Sequence, residues 1–101
     1  MSRYNRVRRD IVHAPIVAEL RALGVSVTDL AAVGNDVPDL VVGWRGVTRL
    51  VELKSDRKIH KQAGDGRSPG QIRFADAWAG SPVVLAQTTE QVLKALETSD
   101  P

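Results

Sequence analysis

The chain has 101 residues, a formal net charge of +2 and no cysteine. This length predicts one domain with one modest core, and the lack of cysteine excludes disulfides and thiolate metal sites. No apolar run approaches the length of a membrane span, and the basic start precedes a segment too broken for a signal-peptide core, so we expect a cytosolic protein without a membrane partner.

The basic residues form two clusters. The first is Arg3, Arg6, Arg8 and Arg9, and the second is Lys54, Arg57, Lys58, Lys61, Arg67 and Arg73. Acids outnumber bases after the second cluster, which suggests a basic side that faces a polyanion. We therefore predict nucleic-acid contacts from Arg6, Arg8, Arg9, Arg57, Lys58, Lys61, Arg67 and Arg73. Charge runs of this kind are also often solvated faces, and a solubilising tail is the alternative for the N-terminal arginines.

The first predicted element is a helix that ends near Gly24. Its apolar residues recur at helical spacing: Val7, Ile11, Ala14 and Ala18, continued by Ile16, Leu20 and Leu23. Pro15 lies inside this pattern and lacks a backbone donor, so a kink or a short break into two pieces is expected there. Residues 25–30 alternate apolar and polar side chains and predict a first strand. A turn at residues 34–36 follows.

Residues 37–54 predict two short strands joined by a turn at Arg45 and Gly46. The loop 55–67 has almost no hydrophobic residues and is expected to be mobile. Ser68, Pro69 and Gln71 then open a second helix as N-cap, first helical residue and capping-box partner. Its buried side is expected to consist of Ile72, Phe74, Ala75, Trp78 and Ala79, with the helix ending at Gly80.

A strand at residues 83–86 and a third helix capped at Thr88 complete the chain, with residues 1–6 and 98–101 expected to fray. The predicted order αβββαβα indicates a single α/β domain over residues 1–101. Its core would be a mixed central sheet of about four strands with helices on both faces.

The register of the predicted hairpin brings two acids together. If Trp44 opposes Val47, Asp39 falls directly opposite Glu52. Opposed like charges destabilise a strand pair unless a cation lies between them, and two carboxylates favour a hard ion such as Mg²⁺ or Mn²⁺. Lys54 shares a strand face with Glu52, because side chains alternate along a strand. A bulge at the turn would instead place Asp39 and Glu52 on opposite faces.

This constellation suits phosphodiester hydrolysis. A metal held by Asp39 and Glu52 would orient the phosphate and acidify the attacking water, and Lys54 would assist that water. Leu53 turns its side chain away, which leaves its carbonyl as a further possible ligand. The alternative without a catalytic site is that Asp39 is a turn residue and Glu52 a surface glutamate paired with Lys54. Gln71 would then have a capping role alone.

Strand direction also predicts which part of the first helix lies near the acids. If consecutive strands are antiparallel, the N-terminal half of the helix lies beside Asp39, so Asp10 and His13 are nearer than Glu19. We assign no ligand role to His13 or His60. Trp44 and Trp78 are most simply core or interface anchors, with base stacking as a second option.

Pro38-Asp39 followed by Glu52-Leu53-Lys54 resembles the PD-(D/E)XK nuclease motif, and the Ser68 to Gln71 helix start is similar to that of its VRR-NUC (virus-type replication-repair nuclease) branch. The resemblance implies a restriction-endonuclease-like core in which Asp39, Glu52 and the Leu53 carbonyl bind Mg²⁺ or Mn²⁺. It gives catalytic roles to Lys54 and Gln71, and the acid near the start of the first helix maps to Asp10, where the family usually has glutamate.

We therefore expect a metal-dependent DNA endonuclease, as a homodimer with two sites and no small-molecule cofactor. The resemblance implies activity on branched or nicked DNA in phage or bacterial replication and repair. The alternatives are a nucleic-acid-binding module that keeps the nuclease fold without turnover, and a structural domain of a phage or repair assembly.

Overall fold

A computed structural model describes residues 3–54 and 66–97 of the chain, and for residues 3–12 it describes the backbone only. The elements in order are α1 (Arg3–Ala22), β1 (Ser26–Asp29), β2 (Leu40–Trp44), β3 (Val47–Leu53), α2 (Pro69–Ala77), β4 (Val84–Ala86) and α3 (Thr89–Glu97). None of the helices in this part of the chain has the length and apolar character needed to cross a bilayer.

The four strands form one sheet in the order β1-β2-β3-β4. β1 with β2 and β2 with β3 are antiparallel, whereas β3 and β4 are parallel. A parallel pair needs a crossover connection, and α2 lies within that connection. The prediction of an α/β domain with a mixed four-stranded sheet in the order αβββαβα is confirmed.

The turn between β2 and β3 fixes the register of the site. Arg45 and Gly46 both have positive φ, at 52° and 82°, which is typical of the two-residue turns that match strand twist. Trp44 therefore pairs with Val47, and the pairing continues without a bulge to Leu40 and Val51. The predicted register is confirmed as far as Leu40 and Val51, and continuing it by one step would place Asp39 opposite Glu52.

The core lies between one face of the sheet and the two helices α1 and α3, which also contact each other. Its most completely buried apolar side chains are Leu20, Leu40, Val42, Val51 and Val92. Arg49 ties this layer together, because its guanidinium donates to the carbonyls of Ala95 (3.1 Å) and Pro82 (2.8 Å). The opposite face of the sheet is covered less well, and its apolar residues Val41, Leu50 and Leu85 are only half-buried.

The structure corrects the predicted buried side of α1. Ala14, Ala18 and Leu23 are exposed, and the buried side chains of the described part are His13, Ile16 and Leu20. Two apolar patterns overlap in this helix, and only the one that faces β1 is buried. No break occurs at Pro15, which lies on the exposed side within a single helix, where the chain loses one backbone hydrogen bond without ending the helix.

The second helix also differs from its prediction. α2 ends at Ala77, with Trp78 as C-cap, and none of its residues is buried. The expectation that Ile72, Phe74, Ala75, Trp78 and Ala79 supply a buried side is therefore wrong. The reason is that α1 and α3 close the core on the opposite face of the sheet, so hydrophobic residues in α2 have no comparable layer to enter.

Candidate functional site

Asp39 lies just before β2 and is held between two strands. Its Oδ2 accepts a hydrogen bond of 2.8 Å from the backbone N–H of Leu53. The side chain of Leu53 is buried in the core, as predicted, and it is the backbone N–H at this position that meets the carboxylate. Asp39 and Glu52 are only 7% and 4% exposed. The sequence thus brings two acids into the interior at the same end of the hairpin.

His13 reaches this pair from α1. Its Nε2 lies 3.6 Å from Asp39 Oδ2, beyond hydrogen-bonding distance, and the residue is 8% exposed. Sequence reasoning placed His13 near the acids through strand direction but gave it no role. The signal that could have identified it is its spacing of three and seven residues from the buried Ile16 and Leu20, which puts it on the inward face of the helix.

Two acids of the first helix, Glu19 and Asp10, also differed in their predicted distance from the site. Glu19 lies away from the acids, where its carboxylate accepts a hydrogen bond from the hydroxyl of Thr89 on α3. The side chain of Asp10 lies outside the described residues, so its predicted role stays a prediction.

Glu52 contacts two side chains that follow it in the sequence. Its Oε2 accepts a hydrogen bond of 2.8 Å from Gln71 Nε2 and lies 3.7 Å from Lys54 Nζ. Lys54 is itself largely buried, at the end of the same strand. Glu52 and Lys54, which were predicted to share a strand face, lie side by side, and Gln71 contacts the same carboxylate oxygen.

Gln71 makes the predicted capping contacts and also contacts Glu52. Its Oε1 accepts a hydrogen bond of 2.9 Å from Ser68 N, and its backbone N–H donates to Ser68 Oγ at 3.1 Å, which completes a capping box. The same side-chain amide donates to Glu52 through Nε2. The start of α2 is thus connected directly to the carboxylate.

The donor chemistry of the site suits a hard cation. Two carboxylates are buried at the same end of the hairpin, and the ammonium of Lys54 lies beside Glu52. Buried charges are costly unless they are paired or coordinate a metal. Among the described residues, no group of three or more His, Cys, Asp and Glu side chains could hold an ion. Two carboxylates nevertheless fit Mg²⁺, which typically keeps several waters and binds one or two carboxylates.

The predicted nucleic-acid contacts are described only in part. Arg67 is partly buried just before α2, and Arg73 is exposed on α2. The predicted contacts whose side chains lie outside the described residues are Arg6, Arg8, Arg9, Arg57, Lys58 and Lys61. Residues 55–65, expected to form a mobile loop, also lie outside the described residues. The same holds for residues 1–2 and 98–101, which were expected to fray. In contrast to the expectation that residues 1–6 fray, residues 3–6 belong to α1.

Comparisons of the chain with family models, with curated proteins and with solved structures found no match. A function therefore has to be argued from the residues and their geometry.

Proposed function

We propose that this protein is a metal-dependent DNA endonuclease of the PD-(D/E)XK superfamily, VRR-NUC branch. The observation that carries the proposal is the pair of buried, opposed acids Asp39 and Glu52, with Lys54 and Gln71 both directed at Glu52 Oε2. If Asp39 and Glu52 were only a turn residue and a surface residue, their side chains would be exposed to solvent. Burying two carboxylates removes them from water at a cost to folding, and a reaction that uses them gives a reason for that placement.

Asp39, Glu52 and the carbonyl of Leu53 would hold Mg²⁺ or Mn²⁺, because hard oxygen donors suit these ions. When bound, such an ion neutralises charge on a phosphate and lowers the pKa of a coordinated water. The chain positions these donors before any ligand arrives. Leu53 N–H holds one oxygen of Asp39, and Gln71 holds one oxygen of Glu52.

Lys54 would act on the reacting groups. In the proposed step, a water oxygen forms a bond to phosphorus while the bond from phosphorus to the leaving deoxyribose oxygen breaks. The attacking water loses one proton to solvent, and the leaving oxygen gains one. The ammonium of Lys54 orients the water by hydrogen bonding and offsets the negative charge that builds on the phosphate.

The substrate class follows from the same proposal. DNA is the partner, with branched or nicked forms as the preferred substrates, in the cytosol of a bacterial or phage-infected cell. Arg73 on α2 and Arg67 just before it would contact phosphates. A domain of this size offers little surface for a duplex, so we also propose a homodimer with two sites. Sedimentation of the protein with DNA as a strict monomer would contradict the dimer.

The test is cleavage of supercoiled, nicked and branched DNA with Mn²⁺ by the wild type and by Asp39→Ala. Asp76→Ala serves as the matched control, because it removes an exposed acid on α2. We expect cleavage by the wild type and the control, and none by Asp39→Ala. Equal activity of wild type and Asp39→Ala, or no activity of the wild type on any substrate, overturns the proposal. DNA binding that survives chelation would then favour a non-catalytic binding module.

A further inference from the structure

The helix that carries Gln71 also carries an exposed aromatic pair. The rings of Phe74 and Trp78 stack with centroids 5.5 Å apart and an interplanar angle of 14°. Trp78 is nevertheless 45% exposed, although burying a large apolar side chain is one of the main sources of folding stability. The fold leaves this tryptophan on the surface, so its position calls for a reason other than core packing.

Helical spacing places the aromatic pair on the same side of α2 as Gln71. Residues three and seven positions apart share one side of a helix, so Gln71, Phe74 and Trp78 lie in one row. Gln71, at the start of that row, contacts Glu52 through its side-chain amide. Seven residues correspond to a rise of about 10 Å along the helix. This distance equals about three nucleotide steps of a stacked DNA strand.

The indole ring is held in place rather than loosely extended. One face of the indole ring stacks on Phe74. A Cβ at position 80 would lie only 2.9 Å from the indole Nε1, so a glycine at this position leaves room for the ring edge. A preset aromatic ring loses little conformational entropy when a second planar group stacks on it. The local structure therefore suits a flat ligand.

The exposed area is too small for a stable second copy of the chain. Trp78 at 45% exposure presents about 110 Å² if its full surface is near 250 Å². Ile72, at 38% exposure, is the only other large apolar residue of this helix among the exposed ones described. A stable protein interface buries about 800 Å² on each partner. An aromatic patch of this size matches one nucleobase much better than a protein.

We propose that Trp78, supported by Phe74, is a stacking platform for an unpaired nucleobase about three nucleotides from the bond that is cleaved. The inference rests on the proposed nuclease function and narrows its substrate. Bases within an intact duplex are already stacked on their neighbours, whereas a single strand, a flap or the arm of a branch can present a free base. The platform would therefore select DNA with unpaired nucleotides beside the cleavage point.

The test measures binding of labelled single-stranded and duplex DNA of one sequence by fluorescence anisotropy, in EDTA so that no cleavage occurs. We expect Trp78→Ala to weaken single-strand binding about 5- to 150-fold, the range for loss of one stacked base. Duplex binding should change less than about twofold, and Trp78→Phe should retain most of the single-strand affinity. Ile72→Ala, on another side of the same helix, is the matched control and should bind as the wild type does. Circular dichroism verifies that each variant is folded.

A second arm locates the base. An abasic site moved stepwise along the strand should weaken wild-type binding most at one position, and at that position Trp78→Ala should cause no further loss. Equal loss on both DNA forms, no loss for Trp78→Ala, or the same loss for Ile72→Ala overturns the platform. A lower oligomeric mass of Trp78→Ala in sedimentation would identify a protein interface instead. Since these measurements need no turnover, the platform and the nuclease proposal can fail separately.

Discussion

The side-chain amide of Gln71 joins the N-terminus of α2 to the carboxylate of Glu52. Its oxygen accepts from the backbone of Ser68 at 2.9 Å, and its nitrogen donates to Glu52 Oε2 at 2.8 Å. Glutamine can do this because it carries both an acceptor and a donor on one rigid group, whereas glutamate in the same capping position would have no donor to offer. Helix capping and orientation of the site thus depend on one residue.

This double role predicts that two variants lose similar stability but differ in DNA cleavage. Ser68→Ala and Gln71→Ala each remove capping bonds and should each lower the free energy of unfolding by about 1 kcal/mol. Only Gln71→Ala also removes the donor that orients Glu52, so only it should lose most of the DNA cleavage. Thermal unfolding and cleavage rates measured on the same preparations check this. Equal cleavage by the two variants would show that Gln71 acts through the helix cap alone.

The opposed acids predict that metal stabilises the protein and that the effect depends on Asp39. A ligand that binds only the folded state at 100 times its Kd contributes about 2.7 kcal/mol, which for a domain of this size raises Tm by about 10–20 °C. Asp39→Asn keeps an oxygen that can accept from Leu53 N–H but removes the negative charge. In EDTA its Tm should equal or exceed that of the wild type, and Mn²⁺ should cause almost no rise.

The measurement is differential scanning calorimetry with and without Mn²⁺. Asp76→Asn, an exposed acid on α2, should gain as much stability from Mn²⁺ as the wild type. A wild-type-sized rise in Asp39→Asn would contradict a metal bound at this position.

The hairpin and the helix caps were predictable because their causes are local. Arg45 and Gly46 lie between two runs rich in β-branched residues, so the turn fixes the register, and the register alone puts Asp39 opposite Glu52. Ser68 and Gln71 satisfy the capping rule within four residues. No tertiary information was needed for either.

The exposure of α2 was not predictable in the same way. Phe74 and Trp78 have the spacing of a buried helix face, but burial depends on whether another layer is present to receive that face. The core is closed by α1 and α3 on one side of the sheet, a fact that follows from packing and not from any local pattern. His13 is a similar case, because two overlapping apolar patterns in α1 conceal which side is turned inward.

A close contact outside the site gives another prediction. The carboxylate of Asp36 lies against the backbone of Gly70, where an added Cβ would overlap it. Alanine normally favours helix over glycine by up to about 1 kcal/mol, and a carboxylate near a helix N-terminus is itself favourable. Gly70→Ala should therefore fail to stabilise the wild type but should stabilise Asp36→Gly, where the carboxylate is absent. Denaturant unfolding of the four proteins gives the coupling energy, and additive effects would exclude the contact.

His13 is the last element of the site that can be tested independently. Its imidazole, 3.6 Å from Asp39 Oδ2, is buried between α1 and the acid, so it restricts the positions that this carboxylate can occupy. Loss of a group that orients a metal ligand typically costs 10- to 100-fold in metal affinity or activity. We expect His13→Leu, which fills a similar volume without polar atoms, to stay folded while Mn²⁺ affinity and cleavage both fall by about this factor.

Isothermal titration with Mn²⁺ in the absence of DNA provides a readout that does not depend on turnover. Glu19→Gln, on the same helix but bonded to Thr89, is the control that should leave Mn²⁺ affinity unchanged. If His13→Leu loses only thermal stability and binds Mn²⁺ as the wild type does, His13 is a core residue without influence on Asp39.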